Sequence, residues 1–130
     1  MPTVRPFLLF QGDAEEAMDF YASLFPDSDI LEIERYQAGE PGEEGSVKRA
    51  TFALGDQTIL CIDSAGRHDF TFTPSFSLFV ECDSAEQIAW LFAALSEDGR
   101  ILMPLGSYGF SRQFAWTNDK FGVSWQLNLA

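Results

Sequence analysis

Ser124, Gln126 and Asn128 alternate near the end of the chain with Val123, Trp125, Leu127 and Leu129. The two-residue period marks a strand with one face in a core. Its other face carries three neutral hydrogen-bonding groups and no charge. The chain has a formal net charge of −12. In such a background an uncharged polar row suits the lining of a cavity better than a face turned to water. Amide and hydroxyl groups of this kind orient a ligand; they do not exchange protons at neutral pH.

The remaining reactive side chains do not assemble a catalytic constellation. The single histidine, His68, lies in an irregular stretch from Ser64 to Pro74. Cys61 and Cys82 sit in apolar runs with neither CxxC nor metal-binding spacing. That predicts buried free thiols in a reducing, cytoplasmic setting. One imidazole and two such thiols make no Ser/His/Asp or Cys/His set. The acidic run from Glu40 to Glu44 lacks calcium-loop spacing and reads as solvated.

Composition narrows the partners. A length of 130 residues suits one domain with a real core. There are 13 Phe against 3 Tyr and 3 Trp, so some rings are expected to face a cavity or a dimer contact. The excess of 20 acidic over 8 basic side chains argues against nucleic acid and against anionic membrane surfaces, and is compatible with a cationic ligand. No basic, then apolar, leader opens the chain, and no run is long enough to span a bilayer.

The polar row needs strands and helices to hold it, and the punctuation of the chain supplies them. A strand is predicted over Val4 to Phe10, then a helix from about Ala14 to Phe25, with Asp13 as N-cap, Glu16 three positions on, and Pro26 as the stop. Strands follow near Asp29 to Tyr36, Ser46 to Leu54 and Gln57 to Asp63. The second half opens with a strand over Ser75 to Cys82. A helix runs to about Ser96 behind the capping box Ser84-x-x-Gln87. Strands near Arg100 to Leu105, Gly109 to Thr117 and Val123 to Leu129 complete it. Each half reads strand, helix, three strands. An offset of 70 brings Met18 onto Ile88, Tyr21 onto Leu91 and Phe25 onto Leu95, as a duplicated unit would. The expected architecture is α+β: one domain over 1–130 made of two βαβββ modules, about 1–64 and 75–130, with curved sheets forming a cup and helices outside.

That duplication resembles the vicinal oxygen chelate superfamily, which includes glyoxalase I, extradiol dioxygenases and bleomycin-resistance proteins. The closer resemblance is to the PhnB-like branch, also labelled "3-demethylubiquinone-9 3-methyltransferase". It is carried by the segment Phe7 to Tyr21 (FLLFQGDAEEAMDFY), by Phe76 to Cys82 (FSLFVEC) and by Trp116 to Gln126 (WTNDKFGVSWQ). The methyltransferase label implies a Gly-rich turn after the first strand, and Gln11-Gly12-Asp13 has one glycine. Metal-dependent members imply ligands on the first, fourth, fifth and eighth strands. Their motifs carry over to Pro6, about Leu60, Ser77 and Gln126, of which only Gln126 offers a suitable oxygen. Neither a metal nor another cofactor is therefore expected.

The expected cup residues are Leu8, Phe10, Leu60, Ser77, Phe79, Arg112, Phe114, Trp116 and Gln126. Ser77, Gln126 and Arg112 would orient a ligand, and Phe79, Phe114 and Trp116 would give contact area. Alternation leaves open which parity of 109–117 faces inward. The leading expectation is a metal-free domain binding a small organic molecule. The alternatives are an isomerase- or lyase-type enzyme of the superfamily, and sequestration of a cationic compound with Glu81 and Asp63 at the cup mouth. The resemblance also implies a homodimer.

Overall fold

In the computed structural model, which describes residues 1–130, the chain forms two units, Met1–Asp69 and Phe70–Ala130. The first contains β1 (Phe7–Phe10), α1 (Ala14–Leu24), β2 (Ser28–Arg35), β3 (Val47–Leu54) and β4 (Gln57–Asp63). Its strands lie in the order β1-β4-β3-β2, with β1 parallel to β4 and the other pairs antiparallel. The second contains β5 (Leu78–Glu81), α2 (Ala85–Ser96), β6 (Arg100–Gly106), β7 (Gln113–Asn118) and β8 (Ser124–Leu129). It repeats the pattern as β5-β8-β7-β6, with β5 parallel to β8. The predicted element order holds throughout, and this α+β architecture is the glyoxalase or vicinal oxygen chelate fold.

Each helix covers one face of its own sheet because its apolar residues recur at helical spacing. Ala14, Ala17, Met18, Tyr21 and Leu24 of α1 are buried. So are the alternate sheet residues Leu8, Phe10, Ala50, Phe52, Ile59 and Cys61. Ile88, Leu91 and Leu95 of α2 are buried with Ala115, Thr117, Trp125 and Leu127. Phe25 ends α1 in an extended conformation, as the residue before a proline prefers. Arg35 of β2 ties the outer surface of α1 to the sheet through two hydrogen bonds to Glu15, at 2.5 and 2.7 Å. No helix is long and apolar enough to cross a membrane.

The helix starts differ from one another. Ser84 caps α2, accepting the Gln87 N–H at 3.1 Å, while the Gln87 side-chain Oε1 accepts the Asp83 N–H, one residue before the cap, at 2.7 Å. This is the predicted box. Asp13, by contrast, makes no side-chain capping bond. The cap of α1 comes from Asp63 at the end of β4, whose Oδ1 accepts the N–H groups of Gly12 and Ala14 at 2.8 and 2.9 Å. The parallel pairing of β1 with β4 brings Asp63 opposite Phe10, and so beside the turn into α1. Beyond α2, Gly99 lies so close to β7 that a Cβ there would stand 2.1 Å from the Asn118 carbonyl oxygen, an approach only glycine permits.

Candidate functional site: an aromatic cleft on the second sheet

The face of the second sheet turned away from α2 gathers the polar row with aromatic rings. Phe79 and Glu81 of β5 pair with Gln126 and Asn128 of β8. Trp116 and Phe114 of β7 pair with the same two residues from the other side. Residues opposite one another in paired strands share a face, so these six stand together. The register thereby decides the parity of β7. Phe114 and Trp116 join the polar row, and Ala115 and Thr117 turn to the helix. Phe79, Phe114, Trp116, Gln126 and Asn128 line a cleft of about 410 Å³ together with Met103, Phe110 and Ser111. Phe110 meets the Phe114 ring edge-on at 5.0 Å, and Tyr108 stacks on Phe110 at 6.2 Å.

A chain of hydrogen bonds fixes the floor. The Trp116 indole N–H donates to Ser124 Oγ at 2.8 Å, and Ser124 Oγ lies 2.7 Å from Ser77 Oγ. Gln126 Nε2 donates to Ser77 Oγ at 3.3 Å, and Ser77 Oγ donates to the Pro74 carbonyl at 3.4 Å. Asn128 Nδ2 donates to Glu81 Oε1 at 3.0 Å. Ser124 is 1% exposed; its hydroxyl joins the two predicted residues Ser77 and Gln126 to Trp116. Ser124 and Asn128 were legible as members of the alternating row, but their partners were not.

Of the nine residues expected in the cup, Ser77, Phe79, Phe114, Trp116 and Gln126 come together here. Leu60 lies in the first unit, on the sheet face away from α1, where its partner on β1 is Phe7. Leu8 and Phe10 are a correction. Both are 3% exposed and take the opposite parity, paired with Cys61 and Asp63 in the core beneath α1. Both faces of Phe7-Leu8-Leu9-Phe10 are apolar, so alternation could not distinguish them. Arg112 is a second correction. It precedes β7 in a bend, is exposed, and donates from Nε to the Ala130 backbone oxygen at 2.6 Å. Gly109, at φ +95°, breaks the strand predicted to begin there. Asp63, expected at the mouth, is instead buried in the α1 cap, with Oδ2 accepting the Val47 N–H at 2.9 Å.

Neither group implied by the resemblance fits. Pro6 precedes β1 and uses its carbonyl to accept the Leu60 N–H. Leu60 has no donor atom, and Ser77 with Gln126 offers two neutral oxygens, the Ser77 hydroxyl being already in a hydrogen-bond chain. No group of three or more His, Cys, Asp or Glu side chains is placed to hold a metal ion. In a Rossmann-type methyltransferase the turn after the first strand would present free N–H groups to the cofactor. Here those of Gly12 and Ala14 are occupied by Asp63, so S-adenosylmethionine does not fit this turn.

The other reactive groups lie elsewhere. A polar cleft of about 270 Å³ in the first unit is lined by Gln11, Glu43, Ser64 and Arg67 among others. Beside it Ser64 Oγ stands 2.8 Å from His68 Nε2. Both residues are on the exposed loop after β4. Burial pushes the Cys61 thiol up to about 12, with the Asp63 carboxylate adding to the rise, and the Cys82 thiol up to about 11. Both are buried and uncharged at neutral pH, which makes them poor nucleophiles.

The comparisons with known proteins agree with the fold. The family model described as 3-demethylubiquinone-9 3-methyltransferase matches residues 2–128. A PhnB protein from Bacillus cereus, which carries the same methyltransferase name as a provisional label, is 56% identical over 99% of this chain and 100% of its own, with a TM-score of 0.96. Protein PA1353 from Pseudomonas aeruginosa is 25% identical over 99% and 98%, with a TM-score of 0.85. The fosfomycin resistance protein FosX from Listeria monocytogenes, solved with Mn(II) and a dihydroxypropylphosphonic acid, shares the fold at 9% identity, covering 98% of this chain and 90% of its own, with a TM-score of 0.65. No curated protein matches the chain. The chain belongs to the 3-demethylubiquinone-9 3-methyltransferase family, the PhnB-like branch of the vicinal oxygen chelate superfamily.

Proposed function

We propose that this chain is a small-molecule-binding domain that works without a metal ion and holds a flat, largely apolar organic ligand in the cleft of the second sheet. One observation carries the reading: four aromatic rings surround a floor whose polar groups are fixed by the Trp116–Ser124–Ser77–Gln126 chain. Ligand pockets typically combine apolar walls with a few placed polar groups in this way. Acid–base turnover would need a titratable group within reach of the ligand, and the lining residues supply none. The donor set described above supports independence from metal.

A panel of neutral planar compounds, such as indole and benzyl alcohol, tests this. Binding is expected to shift the NMR signals of Phe79, Trp116 and Gln126 and to persist in excess chelator. Gln126→Leu should weaken the hits that hydrogen-bond. If no planar compound shifts these signals, or chelator abolishes binding, the proposal fails.

We also infer a homodimer. Phe7, Phe76 and Trp90 are each more than half exposed, and exposed rings in such number are characteristic of association surfaces. Light scattering after size exclusion is expected to give twice the chain mass of 14.5 kDa. A single-chain mass at micromolar concentration would contradict it.

A further inference from the structure

The hydrogen-bond chain on the cleft floor has a direction, and that direction selects a ligand class. An indole N–H can only donate, so the chain begins at Trp116. A backbone carbonyl can only accept, so it ends at Pro74. Between them, Ser124 accepts from Trp116 and passes its own proton to Ser77, and Ser77 donates to Pro74. The reverse order would leave the buried Ser124 hydroxyl without an acceptor along this chain. The remaining lone pair of Ser77 takes Gln126 Nε2. The amide nitrogen of Gln126 is thereby turned to the floor, one of its two N–H groups bonded there, and Oε1 is the end left for the cleft. Asn128 is oriented in the same way. Its Nδ2 faces the Glu81 carboxylate, which accepts only, so Oδ1 is turned away.

The cleft therefore turns amide oxygens, and no charged donor, toward a ligand. Its lining contains no Lys, Arg or His, and Ser111 is the remaining hydroxyl. The Trp116 N–H is spent on Ser124, and the Arg112 guanidinium Nε is spent on Ala130. Two acceptors on alternate residues of one strand stand about 7 Å apart along it.

Resting on the binding role proposed above, we infer that the cleft takes a planar aromatic compound bearing N–H donors, amino or amidinium groups at separated ring positions, and rejects carboxylates and phosphonates. The ring lies among Phe79, Phe110, Phe114 and Trp116, and its N–H groups meet Gln126 Oε1 and Asn128 Oδ1. A cationic donor gains further from the aromatic faces. An anionic ligand would set its oxygens against acceptors and leave both sides unpaired.

The test compares 4-aminobenzamidine, benzyl alcohol and benzoate by calorimetric titration of the intact protein. 4-Aminobenzamidine is expected to bind about tenfold or more tighter than benzyl alcohol, and benzoate not at all. Gln126→Leu and Asn128→Leu leave the net charge unchanged. They should remove this preference while benzyl alcohol still binds, which also shows that the variants are folded. If benzoate binds as well as 4-aminobenzamidine, the inference is overturned and the binding role stands. A preference that survives both substitutions reflects the overall −12 charge and overturns it too. If none of the three compounds binds, the binding role fails with it.

Discussion

Replacing Asp63 by alanine is expected to cost about 3–5 kcal/mol of folding stability, because the change strands three N–H groups at once. The carboxylate is 2% exposed. Oδ1 holds Gly12 and Ala14, Oδ2 holds Val47, and the residue's own carbonyl accepts the Tyr36 hydroxyl at 3.2 Å. One side chain thus fixes the start of α1 and the start of β3. Each buried donor left without a partner costs about 1–3 kcal/mol, less whatever water recovers. Asp63→Asn keeps the shape but replaces one acceptor by a donor facing N–H, and should cost about 2 kcal/mol. Asp13→Ala, at the position local sequence rules nominate for this cap, should cost no more than about 0.5 kcal/mol, since its side chain makes no capping bond. Urea unfolding of the three variants measures these differences. A loss below 1 kcal/mol for Asp63→Ala, or a larger loss for Asp13→Ala, would assign the cap wrongly.

The contrast between these two aspartates shows where sequence reasoning reaches. Helical spacing and β alternation are local, so the element order, the α2 capping box and the closing strand were all legible. The cap of α1 was not, because it crosses from residue 63 to residues 12 and 14, and nothing near Gly12 reports it. Alternation also needs one polar face to orient a strand. Val123 to Leu129 has one, and its inner and outer residues were assigned correctly. Phe7 to Phe10 has none, so alternation does not decide the side of Leu8 and Phe10, which lie in the core beneath α1 and not in a cup. β7 carried aromatic residues on one parity and small or polar ones on the other, which fits either face. Only pairing with Gln126 and Asn128 decides it. The pattern puts Arg112 in a strand from Gly109, whereas the positive φ of Gly109 and the packing of Tyr108, Phe110 and Phe114 delay its start to Gln113. The Ser124 hydroxyl's role depended on three strands meeting, and no linear pattern encodes that.

Trp116 separates the two things the cleft floor does, and two substitutions should resolve them. The indole contributes a ring to the wall and an N–H to Ser124. Trp116→Ala removes both. It is expected to weaken binding of a planar ligand about 10- to 100-fold, about 1.4–2.8 kcal/mol, the range for an aromatic anchor in a small site. Trp116→Phe keeps most of the ring and deletes the donor that starts the chain. Ser124 then has no reason to direct its proton toward Ser77 rather than the reverse, and Gln126 is free to turn its amide. Affinity for a neutral ring such as benzyl alcohol should fall no more than about threefold, while discrimination between 4-aminobenzamidine and benzoate should shrink by a larger factor. Calorimetric titration of both variants reads the two quantities separately. Unchanged affinity in Trp116→Ala would remove the cleft as the binding site. Full discrimination in Trp116→Phe would mean that Gln126 is oriented by something other than the proton chain, because the ring alone cannot tell an amidinium from a carboxylate by hydrogen bonding.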